Sequence, residues 1–343
     1  MIRRVIWFPT GSRAKSSSRI QVYNIHNKLL ELGYNSVLGY EPKRTIWHLP
    51  LLNSDIKGLD LRSDDLVIIQ KFKKRTIKTV IKKLRKSRAK IGYIDCDEPI
   101  AKPIAKKVDF VIVPSRHLME RYQSIGAKCF YIPDCPERFL KPNPKPKINS
   151  VLKCVWFGNY SNSKWKEVLF FQRLLKEYKI NNWTFETISN TRKATKRWNR
   201  SSFEELTKYD LVVIPVPDIT EDYKVKSANR LLQSMALGLP ILSSPVPEYL
   251  HIIDANKLNN IICETPINWK EMLSYFESSV NRNIALNKNY EVAISYHLDR
   301  IIYTWIDIFE LKKEGIKKET NKKVLEKIRT RARLLGYEIT FSK

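Results

Sequence analysis

The stretch "KSANRLLQSMALGLPILSSP", residues 226–245, sets Lys226, Asn229 and Arg230 at the start of a helix. Cations are ordinarily favoured at the other end, because the helix dipole and unpaired N–H groups already make the N-terminus positive. With Ser227 as N-cap, Asn229 and Arg230 fall in the first turn and Lys226 lies just outside it. Such a cluster is costly unless a strong anion occupies the spot. A diphosphate suits it: a guanidinium forks onto two oxygens, and an ammonium acts as a point charge. The plainer alternative is an ordinary helix between two strands, with Lys226 and Arg230 exposed. Gly238 reads as a left-handed stop, and Pro240 opens the exit strand.

Three further groups of residues have chemical potential. Asp95 and Asp97 close the strand "KIGYIDCD". Asp-x-Asp after an apolar strand can hold Mn²⁺ or Mg²⁺ through hard oxygen ligands; otherwise the pair orients an acceptor hydroxyl or organises a cleft. The loop "GSRAKSSSR" brings Gly11, Ser12, Arg13 and Arg19 between a strand and a helix. It either cradles an anionic acceptor or is a solvated polar loop. It is not a P-loop, since the GxxxxGK[ST] spacing is absent. His117 reads as structural and His26 as a surface or packing residue. Five scattered cysteines without a CxxC pair argue against zinc and against a disulfide framework.

The elements that must position these residues alternate strand and helix. "RRVIWFP" reads as a strand, "IQVYNIHNKLLELG" as a helix stopped by Gly33, and "DLVIIQK", "KIGYIDCD", "DFVIVPS" and "CFYIPD" as later strands. "KPNPKPKINS" is a proline-rich linker. The pattern then restarts: strands "LKCVWFGN", "TFETIS", "DLVVIPV" and "LPILSS", with "KEVLFFQRLLKEY" and the 227–237 segment helical. This predicts an α/β chain of two Rossmann-like, doubly wound domains facing across a cleft. The expected boundaries are 1–140, a linker at 141–150, a second domain at 151–290, a helix at 291–311 and a basic tail at 312–343.

The "LLQSMALGLPILSSP" segment resembles the donor-binding segment of GT-B glycosyltransferases, in particular the family-4-like group, and "KxxNR" resembles a subgroup of it. "GYIDCDEP", "DFVIVPSRHLMERYQSIGAKCFYIPD", "VWFGNYSNSKWKEVLF" and "LTKYDLVVIPVPD" resemble other parts of the fold in the right order. The resemblance implies a nucleotide-diphospho-sugar donor, transfer to a glycan or lipid-linked acceptor in surface-polysaccharide assembly, and retention of anomeric configuration. No metal or cofactor is implied. It places the donor among Asn159, Lys164 (with Lys166 as competitor), Pro217, Ser227, Asn229 and Gln233. The acceptor lies near Gly11, Ser12, Arg13 and Arg19, and Lys226, Arg230 and Asp97 attend the reacting bond. The group usually carries two glutamates eight positions apart; here they fall on Val225 and Gln233. It also often has an N-domain histidine near the reacting sugar, and Lys71 follows the corresponding strand. Two alternatives stay open: a noncatalytic nucleotide-sugar or polyanion binder on the same scaffold, and a metal-dependent GT-A transferase using Asp95 and Asp97.

The 343 residues carry 62 basic and 35 acidic side chains, a formal charge of +27, which implies an anionic partner. From Lys71 to Lys90 there are eleven cations and no acid, around a stripe of Ile77, Val80, Ile81 and Leu84. Such a face suits peripheral contact with an anionic membrane. No zinc-finger, RNP-like or helix-turn-helix signature points to a specific nucleic acid. No apolar run approaches the roughly 18 residues of a spanning helix, so the expected location is cytoplasmic, with peripheral contact at the membrane's inner face.

Overall fold

Apolar runs buried on both faces build two parallel sheets, as strands covered by helices on each side require. The computed structural model describes residues 1–42, 51–52, 55–56, 58–145, 151–199, 201–258 and 261–311. The basic tail at 312–343 and the second half of the expected linker lie outside the described residues. The first sheet has the order β2-β1-β3-β4-β5-β6. Its strands are β1 (Arg4–Phe8), β2 (Asn35–Leu38), β3 (Asp65–Gln70), β4 (Lys90–Ile94), β5 (Phe110–Val113) and β6 (Cys129–Tyr131). The second has the order β11-β10-β7-β8-β9. It contains β7 (Leu152–Gly158), β8 (Trp183–Ser189), β9 (Lys196–Arg197), β10 (Leu211–Ile214) and β11 (Ile241–Ser243). Every pairing between named strands is parallel. β2 and β9 are short edge strands that the sequence reading passes over.

Strand order reverses between β1 and β3 in one sheet and between β7 and β10 in the other. Loops leaving the carboxyl ends of such neighbours part and leave a crevice. Gly11 follows β1, Lys71 follows β3, Asn159 follows β7 and Pro217 lies just beyond β10.

Three helical expectations change. The segment near 290–311 is two helices, Ser279–Ser295 and Leu298–Phe309, broken at His297, whose backbone is extended and whose ring accepts from the Asp299 N–H at 3.2 Å. The first puts Val292 and Ala293 into the core around β10 and β11. The second places Ile302, Trp305, Ile306 and Phe309 against Ile2, Val5 and Trp7 beside β1, with the Trp7 and Trp305 rings 6.1 Å apart. Residues 16–31 form a helix with a π-helical middle, Arg19–Tyr23.

The third change concerns the helix of the opening motif, which runs Asn229–Ala236 and not from 227. Leu231, Leu232, Met235 and Ala236 face the core. Gly238 ends it at φ +62°, and a Cβ there would lie 2.7 Å from the Pro142 backbone, so a side chain is excluded on two counts. Ser227 does not cap this helix. Ala228 holds the cap position without a side-chain bond, and the Ser227 hydroxyl donates to Asp134 Oδ2 at 2.6 Å. The buried carboxylate of Asp134 takes the hydroxyl that the helix terminus would otherwise use.

Candidate functional site

The two sheets meet along residues 225–248. Ser115 Oγ donates to the Val225 carbonyl at 2.7 Å, and Val225 is fully buried in the core of the first sheet. Glu248 accepts from the Arg116 N–H and the Tyr131 hydroxyl, both at 2.7 Å. Gln233 Oε1 accepts from the Glu137 N–H at 2.7 Å, and its Nε2 donates to the Arg138 carbonyl at 2.8 Å. Both amide atoms of Gln233 are therefore spent on the chain crossing between the sheets.

Lys226 and Arg230 are neither exposed nor waiting. Lys226 Nζ lies 3.0 Å from Asp97 Oδ1, and Lys71 grips the other oxygen of the same carboxylate. Lys71 adopts φ +57°, a conformation that costs a side chain roughly 1–2 kcal/mol and here aims its ammonium at Asp97. Burial pushes the Asp97 carboxyl up, but Lys71 and Lys226 outweigh it and hold it well below the usual range. A carboxylate so held is a poor proton acceptor. Arg230 forks onto Glu167, with Nη1–Oε2 at 2.7 Å and Nη2–Oε1 at 3.0 Å. The sequence reading missed Glu167, as well as Trp156 and Tyr223, which donate to it at 2.6 and 2.7 Å. The apolar/polar pattern of "KEVLFFQ" does place Glu167 one turn into the helix Asn162–Glu177, but nothing in it marks the carboxylate as buried.

Lys164 completes the cluster. Ser161 caps its helix by accepting from the Lys164 N–H, which leaves the Lys164 side chain in the first turn, half-buried. Burial comes first and the Arg230 charge second in pushing its ammonium down to about 8, with Lys226 adding to the push and Glu167 and Asp97 opposing it. Lys166 points outward and is exposed. Lys71, Lys164, Lys226 and Arg230 thus face two carboxylates, Asp97 and Glu167, and the site remains positive. Asn159 and Pro217 lie exposed at the ends of adjacent strands, and Asn229 opens the helix Asn229–Ala236.

The other sequence candidates separate from this cluster. Arg19 is forked onto Glu137 at 2.5 and 3.0 Å, and Arg13 pairs with Glu41 at 2.9 Å. Gly11 accepts from the Tyr23 hydroxyl at 3.1 Å, and Ser12 follows it in the loop. Gln70, at the end of β3, binds this loop through Ser18 Oγ at 3.0 Å and the Ser17 carbonyl at 2.9 Å. His26 is buried and bonded to Ser36 at 2.7 Å, and burial pushes its ring pKa down. His117 lies between Glu120 and Glu221.

The metal reading of Asp95 and Asp97 fails on this geometry. Asp95 is fully buried, 3.0 Å from Lys73 Nζ and accepting from the Tyr122 hydroxyl at 2.5 Å, while Asp97 holds two lysines. Ammonium groups fill the directions a cation would need. Among the described residues, no group of three His, Cys, Asp or Glu could hold a metal ion.

No family model and no curated protein matches the chain. Solved structures do. A trehalose-6-phosphate synthase studied for glycosyl transfer with retention, using bisubstrate glycomimetics, superposes at TM-score 0.57 over 90% of this chain and 99% of its own, with 11% identity. A chain of the GtfA/B complex gives 0.55 over 74% of this chain, with 16% identity. The E. coli trehalose-6-phosphate protein bound with UDP-2-fluoro glucose gives 0.52 over 75% of this chain and 74% of its own, with 12% identity. The fold is that of the GT-B glycosyltransferases. The second parallel sheet overturns the single-domain GT-A alternative. The chain spans 58% of the length of the GtfA/B-complex chain.

Proposed function

We propose that this protein is a family-4-like GT-B glycosyltransferase that moves a sugar from a nucleotide-diphospho-sugar to a glycan or lipid-linked acceptor. The observation that carries the reading is Lys164: a half-buried ammonium beside Arg230, at the carboxyl edge of β7, in a cluster with more cations than carboxylates. As the bond to the anomeric carbon breaks, the leaving diphosphate gains charge. Lys164, Lys226 and Arg230 grip it most tightly at that moment and lower the barrier without a metal. Arg230 has five N–H donors; two go to Glu167 and it also bonds Tyr249, which leaves at most two for phosphate. Asp97 holds Lys226 and Lys71 in place and does not take a proton. Asn159, Pro217 and Asn229 border the donor, and retention follows the family resemblance. The relative studied for transfer with retention and the one bound with UDP-2-fluoro glucose support the same reaction class.

Calorimetric titration of the wild type and Arg230→Ala with UDP and with uridine tests this. Arg230→Ala should weaken UDP by about 10- to 100-fold, the value of one or two charged hydrogen bonds, and leave uridine nearly unchanged. Equal loss for both refutes the diphosphate assignment.

A second reading, a noncatalytic nucleotide-sugar binder, is favoured by Val225 and Gln233, one buried in the opposite core and the other committed to backbone. Release of nucleotide from UDP-, GDP-, ADP- or CMP-linked sugars separates the two: a binder releases none.

Lys74, Arg75, Lys78, Lys82, Lys86 and Arg88 stand exposed on and beside the helix Thr76–Leu84, whose apolar stripe is buried. They support peripheral attachment to an anionic membrane, each contributing on the order of 1 kcal/mol. Flotation with phosphatidylserine vesicles should be lost when Lys78 and Lys82 become glutamate; unchanged flotation refutes this face.

A further inference from the structure

Glu167 is fully buried and saturated. It accepts from Arg230 Nη1 and Nη2, the Trp156 indole and the Tyr223 hydroxyl, at 2.6–3.0 Å. Its donors come from three segments: the helix Asn229–Ala236, β7, and the single helical turn Glu221–Lys224 that leads into Lys226. A carboxylate has about four lone-pair sites, and all are taken. Arg230 cannot shed its proton, so the pair stays ionic at any working pH.

We propose that Glu167 is the resident counter-ion of an anion site: it holds Arg230 and the 221–224 turn in the binding arrangement while the site is empty, and it limits how strongly a phosphate group is drawn there. This rests on the reading of the cluster as a phosphate site and adds a positioning residue that opposes the ligand it helps to place. Two effects compete when its charge is removed. The fork that orients Arg230 is weakened, which disfavours the ligand. The repulsion between Glu167 and an incoming phosphate also disappears, and a unit charge a few ångströms away in a half-buried site outweighs one oriented hydrogen bond. Removal also leaves Arg230 buried at 15% exposure beside Lys164 and Lys226 with no carboxylate on its fork. A bound anion then supplies what was deleted.

The charged groups facing Lys164 are Arg230, Lys226, Glu167 and Asp97, with Lys71 on the far oxygen of Asp97. Arg230 and Lys226 push protons off Lys164, while Glu167 and Asp97 hold them on. Tyr249, from the helix Pro247–Ala255, also faces Arg230 and Glu167, and burial keeps its phenol neutral. Losing the Glu167 charge therefore moves Lys164 to a lower pKa.

The test uses the full chain with Glu167→Gln and with Glu167→Gln/Arg230→Gln, and inorganic pyrophosphate and sulfate as probes. Glu167→Gln should melt several degrees below the wild type without anion and regain most of that loss with pyrophosphate. It should bind pyrophosphate about tenfold more tightly. Sulfate, whose charge is constant over this range, should lose affinity above about pH 8 in the wild type, and at a lower pH in Glu167→Gln. A merely structural role would not move that midpoint. The double variant should melt near the wild type without anion and show no rescue by pyrophosphate, since neither member of the Arg230–Glu167 fork is left without its partner. Unchanged melting of Glu167→Gln, no rescue by pyrophosphate, or weaker binding overturns the proposal. If Glu167→Gln alone does not fold, the double variant decides. A folded double variant without a pyrophosphate response upholds the proposal; one with wild-type affinity, or one that also fails to fold, overturns it. Anion rescue without any UDP binding would sink the nucleotide reading and leave Glu167 its role. UDP binding without anion rescue would sink the role of Glu167 alone.

Discussion

Lys164→Met offers the sharpest separation of stability from binding. The folded chain holds the Lys164 proton at about 8, against 10.5 unperturbed, because of burial first and Arg230 second. At about 1.36 kcal/mol per unit, this difference corresponds to a ceiling of about 3 kcal/mol. The unfolded chain binds the proton more tightly than the folded one. The charge therefore works against folding below pH 8, and the penalty fades as pH rises from about 8 to 10.5. Methionine keeps the apolar stem and removes the charge. At pH 7 the variant should be more stable than the wild type by ~1–3 kcal/mol, the lower figure allowing for water at the mouth. In thermal unfolding that is roughly 2–4 °C per kcal/mol. At pH 10 the gap should nearly close. UDP affinity should move the other way, falling about 10- to 100-fold at pH 7, the value of a hydrogen bond to a charged group. The wild type should also lose UDP affinity above pH 8, where Lys164 gives up its proton, and the variant should lack that limb. Calorimetric melting at the two pH values and titration with UDP measure all of this. A variant that melts at or below the wild type at pH 7 would show that the charge is not penalised. A gap that widens with pH would refute the sign of the argument.

Three other outcomes follow from the same contacts. Asp97→Asn leaves Lys71 and Lys226 without their shared carboxylate and should cost about 2–3 kcal/mol at pH 7, read by urea unfolding; the pair's contribution is present above about pH 4 and lost on acidification, so the difference should narrow there. Gln233→Glu restores a family glutamate but cannot donate to the Arg138 carbonyl, so it should lower stability by about 1–3 kcal/mol and give no gain in UDP affinity. Arg230→Ala and the Lys78/Lys82 charge reversal should act independently, one on UDP and the other on vesicles, because their helices pack into different cores.

The alternation of apolar runs with helical patterns made both sheets legible, because strands buried on both faces read as continuous runs: "DLVIIQ" and "DLVVIPV" are unmistakable. β9 was not, since two exposed residues on a sheet edge carry no periodicity. The break at His297 was hidden because Ile294, Ile301 and Ile302 sustain an apolar pattern across it, although the two halves serve different cores. In the site, residue type and position marked Lys226 and Arg230, and the family resemblance added Lys164. Their partners were not legible. Glu167 lies 63 positions from Arg230, and Asp97 lies 129 from Lys226. A local pattern shows that a cation is present, but only the fold shows what neutralises it.

That distinction changes the physics of the opening motif. Cations at a helix mouth were expected to be tolerated only through an external anion. Instead Asp97 from the first sheet and Glu167 from the second half supply internal ones, each shared or saturated, and the cluster stands assembled in their company. What the two carboxylates leave least balanced is Lys164, whose proton is held loosely because the group is buried and because Arg230 and Lys226 are near. A phosphate ligand would tighten that proton and relieve the repulsion, so the affinity of the site resides in the imbalance and not in the number of cations. Adding a third carboxylate beside Lys164 would accordingly stabilise the empty protein and abolish its attraction for phosphate.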